Sequence, residues 1–191
     1  MKIKLIQSSC SAINSVYIVE DFLDDLEYLN FLSSKVEKYT LKDEMQKSTN
    51  VKASMTSWQK LLRDPDFNTI HIKILEILSN IYILRTPHPN EQIVFSYHDS
   101  WGMSHQINDF TINHIHFPST FSGSFYFKVP CATEIYFDDY ESGVQLKENM
   151  LLLFPSLCKH KVSKHTSEVN RISMAFNIHM EATLLNGEKN D

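Results

Sequence analysis

The chain is poor in the residues that mark fibrous, disulfide-bonded and nucleic-acid-binding proteins. It has four glycines and six prolines among 191 residues, which excludes a collagen-like or low-complexity chain. The chain has three cysteines, Cys10, Cys131 and Cys158, whose number and spacing do not match a disulfide framework. We therefore expect reduced thiols in a reducing compartment. There is no basic tract and the formal net charge is −5, so the sequence predicts no nucleic-acid partner.

Long hydrophobic runs are also missing. No window approaches the ~18 apolar residues that a membrane helix needs. The N-terminal residues lack the apolar centre of a signal peptide. We therefore expect a cytoplasmic protein with no membrane partner. Hydrophobic residues make up 42% of the chain and aromatic residues 12%, enough for one domain with a substantial core.

Hydrophobic periodicity separates a helical first half from a β-rich second half. Residues 1–7 alternate as a short strand does, and apolar spacing predicts amphipathic helices over about 23–38 and about 66–82. The pair Asp64-Pro65 is suited to the start of the second helix. After residue 90 the chain shows about eight short β-rich segments separated by turn signals, which is typical of a sandwich or barrel.

Three histidines form a candidate metal site. His114 and His116 stand one residue apart in the stretch INHIHFPSTFSGSFYFKVP, and residues i and i+2 of a strand point to the same side. Both imidazoles can therefore bind one metal ion, although such a pair is also found on exposed strand faces. His160 follows an apolar strand 44 residues after His116 and offers a third ligand.

Polar stripes on two later strands predict a pocket. The chain has only three arginines, yet one of them, Arg171, begins the apolar strand RISMAFNI with Ser173 on the same face. A guanidinium fork binds a carboxylate through two hydrogen bonds, and a nearby hydroxyl can add a third. The strand FSGSFYFK likewise places Ser122, Ser124 and Tyr126 on one face. Such stripes favour a polar pocket inside a jelly roll over a solvated face.

In this order the motifs resemble those of a known family. HxH, SGxxY, LLLFPSxxxHxV and RISxxFN are similar to the motifs of iron(II)/2-oxoglutarate-dependent oxygenases from marine bacteria and tailed phages, over about residues 95–179. The upstream segments EDFL, TSWQKLLRDPDF and DSWG resemble that family's lead-in. The resemblance implies a double-stranded β-helix (jelly roll, cupin-like) with two helices packed outside. It implies one oxygenase domain over 1–191, with a support region at 1–90, a jelly-roll core at 91–180 and a tail at 181–191.

The resemblance also implies the chemistry and the residues that serve it. Fe(II) and the small-molecule cosubstrate 2-oxoglutarate would react with O2, releasing succinate and CO2 and hydroxylating an unidentified peptidyl or small-molecule substrate. A phage-encoded member would act in the host cytoplasm. The residues implied are metal ligands His114, His116 and His160, and cosubstrate contacts Arg171, Ser173 and Tyr126.

One position departs from the family's usual pattern. Most of these enzymes bind iron through two histidines and one carboxylate, and here His116 stands where the carboxylate is expected. Either the site has three histidine ligands, or one histidine of the pair does not bind the metal directly and a carboxylate or water takes its place. Asp109 lies five residues before His114, a spacing that makes it difficult for both side chains to bind one metal ion. We favour three histidines.

Three other interpretations stay open. The HxH pair with Cys158 and His160 would make a four-ligand zinc site. A three-histidine cupin dioxygenase would bind its substrate without 2-oxoglutarate. A non-catalytic jelly roll, for example a virion-associated module, would keep the histidines without the oxidation chemistry. Five other histidines are predicted to be surface or packing residues: His71, His88, His105, His165 and His179. Trp58 and Trp101 are predicted to be buried where helix meets sheet, with the mouth of a substrate pocket as the alternative.

Overall fold

A computed structural model describes residues 2–6, 15–41, 50–85, 91–138 and 142–184, so Cys10, His88 and the end of the predicted tail lie outside the described residues. None of the helices in these ranges combines the length and apolar character needed to cross a membrane. The elements follow the chain in this order: β1 (Lys2–Ile6), β2 (Val16–Glu20), α1 (Leu26–Thr40), β3 (Val51–Lys52), β4 (Ser54–Met55), α2 (Asn68–Arg85), β5 (Glu91–His105), β6 (Phe110–His114), β7 (Phe121–Lys128), β8 (Glu134–Phe137), β9 (Val144–Gln145), β10 (Met150–Pro155), β11 (His160–Val162) and β12 (Arg171–Leu184).

The strands form two antiparallel sheets. The major sheet has seven strands in the order β1-β2-β10-β7-β12-β5-β4, and the minor sheet has five in the order β3-β6-β11-β8-β9. Strands that are distant in sequence lie side by side in both sheets, because the chain crosses repeatedly from one sheet to the other. This double-stranded β-helix with two helices confirms the predicted fold class.

Strand β10 shows why the sequence contains a continuous apolar run. It lies between β2 and β7, and all six of its residues are buried. Leu151 and Leu153 pack in the core that includes both helices, whereas Leu152 and Phe154 pack in the core between the sheets. Because both faces of the strand are covered, apolar residues do not alternate with polar ones.

Helix α1 begins three residues later than the sequence predicts. The Asp25 side chain caps it by accepting a hydrogen bond of 2.9 Å from the Tyr28 N–H. Leu23 stays outside the helix because its N–H donates to the Asn149 side chain and its carbonyl accepts from that same amide, both at 2.8 Å. The second helix follows a 3-10 turn over Pro65–Phe67, as the Asp64-Pro65 pair predicted.

Several strands of the first half were missed by the sequence prediction. β2 pairs with β10, and its buried residues are divided between the two cores, so its sequence VYIVE carries no alternation to reveal it. β3 and β4 are two residues long and join the minor and the major sheet. β5 is one strand of 15 residues, longer than the short segments that the sequence predicts, because β12 pairs with it along its length.

Candidate functional site

Three histidines meet between neighbouring strands of the minor sheet. His114 ends β6 and His160 begins β11, and the two are direct partners in that antiparallel pair. His116 follows β6 by two residues. The ligating atoms of the three lie within 4.8 Å of one another, and no carboxylate or thiol of the described residues belongs to this group. The structure therefore brings together the three histidines that the sequence analysis selected.

Backbone contacts fix the tautomer of two of these imidazoles. His114 Nδ1 lies 2.8 Å from the Ile112 carbonyl, and His160 Nδ1 lies 2.9 Å from the Cys158 carbonyl. A carbonyl oxygen only accepts, so each Nδ1 carries the hydrogen and each Nε2 keeps its lone pair. Donation from the far nitrogen to a carbonyl is the usual support for a metal-binding histidine.

Burial keeps the three imidazoles neutral. Together with repulsion between the neighbouring imidazoles, it lowers the pKa of His116 to about 3 and the pKa of His160 to about 4. Burial also lowers the pKa of His114. Neutral imidazole is the form that coordinates a metal ion, so the cluster can take up a cation at neutral pH without first releasing protons.

The other side chains that could bind the metal in place of a third histidine have contacts elsewhere. Asp109 accepts a hydrogen bond of 2.7 Å from the Gln106 N–H and so closes the turn between β5 and β6. Asp99 lies 2.8 Å from the ring of His98. The Cys158 side chain packs in the core between the sheets, with 5% of its surface exposed. The thiol that a four-ligand zinc site would need is thus outside the histidine group.

Arg171, Ser173 and Tyr126 come from the major sheet and face the same pocket. Ser173 on β12 is the direct partner of Tyr126 on β7. Arg171 is 1% exposed and forms no ion pair with any described carboxylate, and its Nε and Nη1 have no hydrogen-bond partner among the described residues. The Ser173 hydroxyl is likewise without a partner. Burial lowers the pKa of Arg171, but a guanidinium remains charged in proteins.

An unpaired buried charge is a costly feature. Removing an ion from water without a counter-ion costs several kcal/mol, and unsatisfied buried donors add ~1–3 kcal/mol each. The Arg171 side chain is therefore arranged for an anion that comes from outside the chain.

Two connected cavities surround the histidines. The inner pocket, of about 40 Å³, is lined by the three histidines and by Tyr126, Arg171, Ser173, His105, Trp101 and Met103. The outer cleft, of about 520 Å³, is lined by residues that include Trp58, His98, Asp99, Phe117 and Asn177. His114, His116 and Trp101 line both cavities, so the histidine cluster lies where they join.

Three predictions about individual residues can be compared with the structure. His105, predicted to be a surface or packing residue, is buried and lines the inner pocket beside Arg171. Trp58 is 42% exposed in the outer cleft rather than buried, and it contacts Trp101 edge-on with ring centroids 4.7 Å apart. Trp101 is buried, but in a cluster of strand residues on the cavity side rather than where helix meets sheet, and it lines both cavities.

Asn177 is a further site residue, at the cleft end of the polar stripe that begins with Arg171. It accepts a hydrogen bond of 2.8 Å from Ser122, and its side chain also hydrogen-bonds with that of His116. Its position on the Arg171 face was visible in the sequence, but its contact with a histidine on the other sheet was not.

No protein-family model and no curated protein sequence matches this chain. Solved structures do match in fold. SnoN, a non-heme α-ketoglutarate-dependent epimerase from nogalamycin biosynthesis, is 11% identical with a TM-score of 0.67, over 93% of this chain and 87% of its own. The viral collagen prolyl hydroxylase vCPH of Paramecium Bursaria Chlorella virus-1, in its 2OG complex, is 13% identical with a TM-score of 0.60, over 85% and 94%. HygX from Streptomyces hygroscopicus, with nickel and 2-oxoglutarate bound, is 9% identical with a TM-score of 0.62, over 87% and 83%. At these identities the likeness shows the fold alone.

Proposed function

We propose that this chain is an Fe(II)- and 2-oxoglutarate-dependent dioxygenase that hydroxylates a peptidyl or small-molecule substrate and releases succinate and CO2. One observation carries the proposal: a buried arginine without an acidic partner lies in the same pocket as three neutral histidines. The fold is shared with proteins crystallised with 2-oxoglutarate. The motifs resemble those of marine bacterial and phage oxygenases, so we place the chain in that group and in the cytoplasm.

The histidine cluster suits a catalytic metal. Imidazole nitrogens bind Fe, Zn, Ni and Cu. His114, His116 and His160 would hold the ion, and their neutral state requires no proton release. Bound Fe(II) supplies the oxidative chemistry, whereas the protein supplies the ligands, their orientation and a sheltered pocket.

The opposite wall suits the far end of 2-oxoglutarate. The buried Arg171 guanidinium forms no ion pair with a described carboxylate, and the Ser173 hydroxyl has no partner among the described residues. A guanidinium fork and a hydroxyl together match one carboxylate. Tyr126 is a neighbour of Ser173 and a further contact. No carboxylate of the described residues belongs to the histidine cluster, so these ligands leave the full charge of a divalent ion in place. A dianionic cosubstrate balances that charge at one end and the charge of Arg171 at the other. Because the inner pocket is narrow, we expect the flexible Met103 side chain to move on binding.

The outer cleft is the place for the primary substrate. It opens from the histidines, and its volume lies within the ~300–1,000 Å³ range of ligand pockets. Proteins of this fold include a collagen prolyl hydroxylase and one crystallised with hygromycin B. Both peptidyl and small-molecule substrates are therefore compatible with the scaffold.

The decisive experiment adds Fe(II) and 2-oxoglutarate to the protein without oxygen. We expect a visible charge-transfer band that saturates at one iron and one 2-oxoglutarate per chain, and slow succinate formation when oxygen is admitted. His160→Ala should lose iron and the band, whereas His179→Ala, a histidine outside the cluster, should keep both.

Two results would contradict the proposal. Iron-loaded protein that shows no band and no calorimetric binding of 2-oxoglutarate would point to a three-histidine dioxygenase that binds its substrate directly. Stoichiometric zinc that iron cannot replace would point to a structural site.

A further inference from the structure

His105 lies beside Arg171 on the pocket face of the major sheet. It ends β5 where Arg171 begins β12, and the two are direct partners in the antiparallel pair. Directly opposite residues in such a pair project to the same side of the sheet. Both residues line the inner pocket, and neither is more than 2% exposed. The imidazole of His105 is therefore held next to the buried guanidinium.

Neither ring nitrogen of His105 has a hydrogen-bond partner among the described residues. Other buried histidines in that part of the chain are paired: His71 with the Ser100 hydroxyl at 2.9 Å, His160 with the Cys158 carbonyl, and His165 with the Val169 carbonyl at 2.8 Å. Buried polar groups in folded proteins are nearly always hydrogen-bonded. An unpaired imidazole facing a cavity thus indicates a group that a ligand satisfies.

The surroundings of His105 also determine its charge. Burial lowers its pKa well below the ordinary value, and the positive charge of Arg171 acts in the same direction. The ring is therefore neutral, with one N–H donor and one lone pair. A neutral donor beside Arg171 adds a directional hydrogen bond to an anion without a second buried charge, which would need its own counter-ion.

We propose that His105 is a further cosubstrate-binding residue, which donates a ring N–H hydrogen bond to the distal carboxylate of 2-oxoglutarate beside Arg171 and Ser173. This inference rests on the proposed function. The distal carboxylate would then be recognised by one cation together with neutral hydrogen-bond donors. A 2-oxo acid that lacks this carboxylate gains nothing from any of them, so His105 contributes to selectivity for a dicarboxylate.

The test compares two ligands in two proteins. 2-Oxoglutarate and 2-oxopentanoate share the 2-oxo acid end and the chain length, but only the first has a distal carboxylate. Their dissociation constants are measured by anaerobic titration of the Fe(II) protein, for wild type and His105→Phe, which keeps a ring but has no donor. We expect His105→Phe to weaken 2-oxoglutarate binding about 10- to 150-fold and to change 2-oxopentanoate binding less than about threefold.

Matched variants separate a lost hydrogen bond from a disturbed pocket. His71→Phe removes a buried imidazole outside the pocket and should leave both dissociation constants unchanged. Where His105→Phe does not fold, His105→Gln and His105→Met replace it. The glutamine keeps an N–H donor and should preserve the preference for 2-oxoglutarate, and the methionine should lose it.

The inference is overturned if His105→Phe weakens both ligands equally, or weakens neither. In each of those cases wild type still binds 2-oxoglutarate and the proposed function stands. If wild-type Fe(II) protein binds no 2-oxoglutarate, the proposed function fails and this inference fails with it.

Discussion

Replacing Arg171 by methionine should stabilise the protein without ligand and abolish its affinity for 2-oxoglutarate. Methionine approximates the length of the arginine stem but carries no charge and no donor. The guanidinium is 1% exposed and forms no ion pair among the described residues, so its removal relieves a desolvation cost that the charge of Asp109 offsets only in part. Most substitutions of a fully buried residue destabilise a protein. A substitution that stabilises it therefore indicates that the buried charge serves ligand binding and not the stability of the fold.

The expected magnitudes follow from the same contacts. Buried charged groups replaced by apolar ones of similar volume often stabilise by ~1–4 kcal/mol, which corresponds to an increase in Tm of roughly 2–4 °C per kcal/mol for a chain of this size. Two charge-assisted hydrogen bonds of ~1.5–3 kcal/mol each would be lost from the complex. The affinity for 2-oxoglutarate should therefore fall by at least about 100-fold, while iron binding stays within about threefold.

Calorimetric unfolding and anaerobic titration measure the two effects. Arg63→Met is the matched control, because the Arg63 side chain is exposed and, among the contacts described for it, hydrogen-bonds only the side chain of Gln59. It should change stability by less than ~0.5 kcal/mol and leave 2-oxoglutarate binding unchanged. Destabilisation of Arg171→Met by more than about 2 kcal/mol would refute the reasoning, because it would show that Arg171 has a structural partner. Arg171→Lys should keep iron and still weaken 2-oxoglutarate, because an ammonium lacks the planar fork.

Three further predictions concern stability. In chemical denaturation, Gly123→Ala should destabilise the protein by ~1–3 kcal/mol, because the added Cβ would lie 2.4 Å from the Leu152 carbonyl oxygen. Gly143→Ala should destabilise it less, because the added Cβ would meet the ring of Tyr136. Burial lowers the pKa of His71 from 6.5 to about 4, so only the unfolded state takes up a proton as the pH falls between these values. Wild type should therefore lose about 3 kcal/mol of stability over that interval relative to His71→Gln. Parallel plots of stability against pH for the two proteins would contradict this prediction. Removal of the metal by a chelator should lower Tm, and Fe(II) at 100 times its Kd should restore about 2.7 kcal/mol; an unchanged Tm would show that the histidines bind no ion.

The polar stripes of β7 and β12 could be predicted because a strand has a fixed period of two. Once Arg171 and Ser173 were assigned to one face, the alternate residues had to face the other way. In the structure those alternate residues pack against the helices, whereas Ser124, Tyr126, Arg171 and Ser173 line the inner pocket. The histidine triplet was predictable for a related reason, because His114 and His160 stand at the ends of recognisable strands and His116 follows two residues after the first.

Features that depend on pairing between distant strands could not be predicted. His105 lies beside Arg171 only because β5 and β12 are neighbouring strands whose register pairs these two residues. The local segment SWGMSH contains no signal that predicts this pairing. β2 was missed because burial on both faces removes the alternation by which strands are recognised. In both cases the decisive information lies in tertiary pairing rather than in the local sequence.

The register of β12 links the stability of the fold to the position of Arg171. Ile172, Met174, Phe176 and Ile178 alternate with the pocket residues, and all four are fully buried in the core that includes both helices. A slip of one residue would exchange the two faces, placing Arg171 in that core and these side chains in the pocket. At ~1.5–3 kcal/mol for each buried side chain, the apolar face opposes such a slip by on the order of 6–12 kcal/mol. The residues that make the core therefore also hold an unpaired cation in the pocket, a position that the cation's own interactions within the chain would not maintain.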